Sequence, residues 1–148
     1  MLIGIVIAAV ILGIAWFANA PSVTATGASK QIQKDKIINV HLNKKTELDK
    51  NYYFVCQFNQ KPSIGINILK VQILDRKNKK VDVFTLKGSA DMTQMRGMHG
   101  SGDTEFKRNK ARDYLLPVDI VMRGEWEVVI TFIKGKNEYR KAKIRINI

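Results

Sequence analysis

The segment Arg140–Ile148 constrains the fold most. Ala142, Ile144, Ile146 and Ile148 alternate with Lys143, Arg145 and Asn147. A strict two-residue period is what a half-buried strand requires, because successive side chains point to opposite faces of a sheet. Lys134-Gly135-Lys136-Asn137 just before it reads as a hairpin turn, and EWEVVITFI (125–133) reads as the strand leading into that turn.

Working backwards, the same short runs recur between turn signals. IINVHL (37–42) is short and mixed, and NYYFVCQF (51–58) is apolar on both faces, as a central sandwich strand is. INILKVQIL (66–74) carries Leu69, Val71 and Ile73 on one face. DRKNKK (75–80) is a polar turn, after which VDVFTL (81–86) is expected to pair with the preceding strand. Lys87 to Asp103 holds four glycines among polar residues and reads as a long loop, not a buried strand. EFKRN (105–109) and YLLPVDIVM (114–122) follow; Pro117 marks the latter as an edge or interrupted strand. After the N-terminus no stretch sustains a 3.6-residue apolar stripe. About seven short strands in about 110 residues predict an all-β, immunoglobulin-like β-sandwich over residues 37–148. There is no Cys–Trp–Cys pattern, so a true immunoglobulin domain is not implied.

The first 18 residues, MLIGIVIAAVILGIAWFA, contain no charge. Residues 1–20 are therefore expected to form one hydrophobic helix, either a membrane anchor or a signal segment. Ala18-Asn19-Ala20 has the small-x-small form of a cleavage site. The missing basic residues before the run, and Pro21 directly after it, favour a retained anchor. Residues 21–36 are small and polar and read as a linker. The positive-inside rule weakens for long following domains. The expected location is thus the inner membrane, single-pass, with the domain in the periplasm, or free in the periplasm if residues 1–20 are removed.

The chain carries 25 basic and 13 acidic residues, a net charge of +12. An export segment argues against a nucleic-acid partner, and a lysine-rich surface favours anionic lipid headgroups instead. The single cysteine, Cys56, cannot form an intrachain disulfide and reads as a small buried hydrophobe. His41 sits in a strand-like run and reads as structural. No nucleophile-elbow, phosphate-loop, paired-cysteine or His-Glu-x-x-His pattern occurs, so a non-enzyme is expected.

Chemistry concentrates in Met92-x-x-Met95-x-x-Met98-His99. Thioether sulfur is a soft, neutral donor suited to Cu(I), and an adjacent imidazole adds a stronger one. Glycines 97, 100 and 102 permit tight wrapping around an ion. Two alternatives stand beside metal binding: the methionines pack the loop onto the domain, or they form a partner surface.

Pro62-Ser63-Ile64-Gly65-Ile66-Asn67, the Met/His loop, Asp113-Tyr114 and Val121-Met122-Arg123-Gly124-Glu125-Trp126 occur in an order that resembles the YtkA-like domain family, related to FixH-like proteins. The resemblance covers about residues 50–148. It implies an immunoglobulin-like sandwich in the periplasm or at the cell surface, often on a single anchor. It also implies an association with copper handling, heavy-metal efflux or cytochrome oxidase assembly. There is no lipobox cysteine, so a lipoprotein is not expected. Carried over by position, Met92, Met95, Met98 and His99 match the family's Met-rich loop, and Met122, Gly124 and Trp126 its turn. The leading expectation is a copper-handling accessory domain binding Cu(I) through Met92, Met95, Met98 and His99, with Met122 a further candidate. The alternative is a non-catalytic module docking on a membrane oxidase or efflux complex.

Overall fold

The computed structural model describes residues 37–148, which form ten strands and no helix. These are β1 (Ile38–Val40), β2 (Lys45–Glu47), β3 (Tyr52–Phe58), β4 (Gly65–Asp75), β5 (Thr85–Met92), β6 (Thr104–Glu105), β7 (Lys107–Arg108), β8 (Tyr114–Ile120), β9 (Glu125–Lys134) and β10 (Asn137–Asn147). One sheet has the order β1-β10-β9-β5-β6 and the other β2-β3-β4-β8-β7. The first is mixed, because β1 runs parallel to β10 with Ile38 opposite Ala142. The second is antiparallel throughout. The expected N-terminal helix and linker lie outside the described residues. Among the described residues no helix is long and apolar enough to cross a membrane.

Alternation builds the core. In β10 the buried residues are Ala142, Ile144 and Ile146, the set read from the sequence. In β9 Trp126, Val128, Ile130 and Phe132 face the same way, because each β10 residue stands opposite its β9 partner: Ile146 to Trp126, Ile144 to Val128. Phe54, Cys56, Leu69, Val71 and Ile73 line the facing sheet. Phe54 meets Phe132 across the interior with ring centroids 4.9 Å apart. Each such fully buried aliphatic or phenyl side chain contributes about 1.5–3 kcal/mol. Cys56 is buried as expected, and burial pushes its thiol pKa up, leaving an inert thiol. His41 falls just beyond β1, on the surface.

Three expectations need correction. The segment from Lys87 is not loop at its start: residues 85–92 are β5, hydrogen-bonded to β9 on one side and β6 on the other. Its inward residues are Leu86, Gly88, Ala90 and Met92, and the middle two carry little apolar bulk. A Cβ on Gly88 would lie 2.5 Å from Leu116 Cδ2 and 2.7 Å from Phe106 Cε2. Small residues are needed there because Phe106 fills the space. Secondly, residues 81–86 do not form a strand paired with β4. Contact is limited to the bridge of Leu74 with Lys80 and the Val81 N–H donated to Ile73 O, after which the chain crosses to the other sheet. Thirdly, EFKRN splits, with β6 in one sheet, β7 in the other and buried Phe106 between them. These splits, and two- and three-residue edge strands, raise the count from about seven to ten.

Pro117 fits its reading as an edge position. Strand β7 reaches only Tyr114 and Leu115, so at Pro117 one side of β8 is open and a missing N–H costs nothing. The fully buried core lies between Val40 and Ile146. No buried side-chain polar atom among the described residues lacks a hydrogen bond. Residues 37–148 thus hold the contacts needed to fold as a unit.

Candidate functional site

Strand directions gather the sequence-derived candidates at one end of the sandwich. Strands β5, β8 and β10 end there and β9 begins there. Met92, the last residue of β5, stands opposite Trp126. It is buried in the core, and its methyl lies 2.8 Å from where a Cβ on Gly124 would be. Gly124 has φ +139, a conformation that other residues rarely adopt. Trp126 is fully buried and donates its indole N–H to Met122 O at 3.0 Å. Met95 and Met122 are half-buried and pack against the same core. Met98 is 74% exposed, and His99 beside it is half-buried. The structure therefore places Met92, Met95 and Met122 at one end of the sandwich, packed on the core, while Met98 stands out in solvent.

The loop between β5 and β6 is pinned at several points. Asp91 Oδ1 accepts the Met92 N–H at 2.8 Å and Oδ2 accepts that of Gly97 at 2.7 Å. Gly97 has φ +80, and the Met98 N–H bonds to Met95 O at 3.2 Å. Thr93 donates to Glu125 O, and Ser101 exchanges hydrogen bonds with Ala90. Arg96 reaches from the loop to the outer face of the sheet and donates to Glu127 Oε1 at 3.2 Å.

Glu127 is the charged group that sequence reading missed. Only 5% exposed, it lies in a cross-strand row with Asp91 and Arg145. Lys143 and Arg145 each approach Glu127 Oε2 at 3.3 Å, and Arg96 closes over it. Burial alone would raise its carboxyl pKa, but the hydrogen bonds from Lys143, Arg96 and Arg145 outweigh that and hold it below its ordinary value. The signal in the sequence was faint. Glu127 shares the polar face of EWEVVITFI with Glu125, and only the strand register, which brings Lys143 and Arg145, and the path of the loop, which brings Arg96, reveal three cations around it.

The other residues of the family-like pattern have structural tasks here. Asn67 is buried; its Nδ2 donates to Ser63 O and Gly65 O at 2.7 and 2.8 Å, and its Oδ1 accepts the Ser63 N–H at 3.1 Å. Asp113 accepts from Lys80, Gln72 and Asn109. Burial pushes the Asp113 pKa up, and those donors bring it below its ordinary value. Tyr114 donates its hydroxyl to Phe84 O at 2.8 Å, tying the two sheets together.

Among the described residues no group of three or more His, Cys, Asp or Glu is arranged to hold a metal ion, a set that does not include methionine sulfur. Comparison with protein-family models, curated proteins and solved structures returned no match. Function must be argued from this chain's own residues.

Proposed function

We propose that this is an exported, membrane-tethered, non-catalytic domain of immunoglobulin-like architecture whose methionine-rich end handles Cu(I). The observation that carries the reading is the gathering of Met92, Met95 and Met122 on the core at one end of the sandwich, with a pinned loop that presents Met98 and His99 there. Soft thioethers on an anchored loop suit a monovalent soft ion. Met95, Met98, His99 and Met122 are the accessible donors, and buried Met92 is the wall behind them. Anchoring by residues 1–20 and a periplasmic location belong to the same proposal.

The test is titration of residues 31–148 with Cu(I) under reducing conditions against a competing chelator. Stoichiometric uptake is expected, abolished by Met95/Met98/Met122→Leu while the domain stays folded. These swaps keep bulk and apolarity, so each should cost less than about 1.5 kcal/mol of stability. Failure of the wild-type domain to take up Cu(I) refutes the metal reading.

One observation favours a second reading, a docking module for a membrane oxidase or efflux complex. Ile64, Ile66 and Val121 are 55%, 69% and 48% exposed and lie at the same end as Met98. Flexible methionines among exposed aliphatics suit a partner surface.

A further inference from the structure

The opposite end of the sandwich has a different chemistry. Four turns meet there: Asp49–Asn51 before β3, Asp75–Lys80 after β4, Asn109–Asp113 before β8, and Lys134–Asn137 between β9 and β10. Polar contacts lash them together. Arg76 donates to Asp49 O, Lys50 O and Glu47. Lys80 reaches Ala111 O and Asp113, and Tyr139 donates to Asp49. Lys134 lies over the rings of Tyr52, Phe84 and Tyr139.

The carboxylates here are occupied internally. Asp49 and Asp75 accept backbone N–H groups within their turns. Asp82 pairs with Arg108, Asp113 with Lys80, and Glu138 with Lys141. On these turns Lys50, Lys77, Lys79, Lys110, Arg112 and Lys136, all exposed, take part in none of the ion pairs among the described residues. The exposed carboxylates in no such pair, Asp103, Glu105 and Asp119, lie outside these four turns. Lys44, Lys61, Lys70, Lys87, Lys107 and Arg123 are likewise in no ion pair on the rest of the surface, so what distinguishes this end is six such cations on four adjoining turns whose own carboxylates are all engaged.

We propose that this end is a docking surface for an anionic lipid bilayer. The cations occupy four separate turns, which a broad, uniformly charged lamella can meet together. The aromatic rings nearby are engaged: Tyr52, Phe84 and Tyr139 pack on one another beneath Lys134, and Tyr53 lies under Lys45 and Arg76, so none is free for nucleobases to stack on. Basic groups held within a Debye length of anionic headgroups each add about fivefold to the partition coefficient, about 1 kcal/mol. The surface uses neither the methionines nor a metal, so it stands or falls apart from the copper reading.

The test is cosedimentation of residues 31–148 with large unilamellar vesicles at about 0.1 M salt. Vesicles of phosphatidylcholine with about 30% phosphatidylglycerol are compared with pure phosphatidylcholine. Binding to the anionic vesicles, lost at about 0.5 M salt, is expected. Lys50/Lys77/Lys79/Lys110→Gln should weaken it on the order of 500-fold, fivefold for each of four charges. Lys61/Lys70/Lys87/Arg123→Gln removes the same charge elsewhere and should weaken it less than tenfold. If either quadruple variant melts early, the single changes Lys77→Gln and Lys110→Gln, each expected to give about a fivefold loss, replace it. Equal losses in the two sets, no preference for anionic vesicles, or tighter binding to single-stranded RNA at the same salt each overturns the proposal.

Discussion

Gly124→Ala is the most direct probe of how the Met122–Trp126 turn is coupled to the methionine loop. Two costs are expected. The backbone at φ +139 is one that alanine adopts only with strain, about 1–3 kcal/mol. The new Cβ would also lie 2.8 Å from the Met92 methyl, well inside the ordinary carbon contact of about 3.5–4.0 Å. That methyl is the end of a flexible side chain but is buried in packed surroundings, so the contact should add about 1 kcal/mol, the low end for overpacking. The total is about 2–4 kcal/mol. Gly65→Ala supplies a comparison, with φ +106 and nothing within 4 Å of the added carbon, so only strain is paid there. Met92→Leu removes the terminal methyl at a cost under about 1.5 kcal/mol and should relieve the contact, giving a coupling of about 1 kcal/mol in the double-mutant cycle. Urea unfolding of residues 31–148, followed by the fluorescence of Trp126, their one tryptophan, reads all five proteins: the wild type, the three single variants and the Gly124→Ala/Met92→Leu double variant. If Gly124→Ala costs no more than Gly65→Ala and Met92→Leu leaves that cost unchanged, the packing of Met92 beneath the turn is refuted.

Two further outcomes follow from the same geometry. Glu127 has a lowered pKa in the fold, so its stabilisation is fully present above the unfolded value of 4.5 and is lost as pH falls through the lower folded value. Urea midpoints should drop over that acid range, less steeply in Glu127→Gln; identical pH profiles would refute the role given to its three cations. Trp126→Ala should cost about 3–5 kcal/mol in urea unfolding followed by far-UV circular dichroism, as aromatic truncations in cores do, and a loss under about 1 kcal/mol would contradict its burial.

The sequence disclosed the fold wherever burial was written as alternation. Strand β10, β9 and the inward set Leu69, Val71 and Ile73 were legible because one face of each is apolar and long enough to count. Strand β5 was not, because its inward face is thinned to Gly88 and Ala90 to admit Phe106, a residue distant in sequence. Glycine was read as a loop signal when it recorded a close approach from a neighbouring strand. The crossing of residues 81–86 to the other sheet was equally hidden, since a polar turn between two apolar runs looks the same in a hairpin and in a crossover. For the site, the cluster of methionines was visible in their spacing. Their division into buried Met92, half-buried Met95 and Met122 and exposed Met98 depended on where β5 ends. Glu127 and its cations depended on register, which spacing within one strand cannot supply.

The parallel pairing of β1 with β10 gives the domain a direction under load. Both strands run the same way, with Ile38, Asn39 and Val40 beside Ala142, Lys143 and Ile144. A pull on the chain before Ile38 and an opposing pull beyond Asn147 slide the two strands past each other lengthwise, so their ladder bonds must give way together. Peeling β10 from the antiparallel β9 starting at Asn147 would break the bonds one at a time. This short ladder is therefore a shear clamp: it resists tension between the two ends of the domain better than its three-residue length suggests.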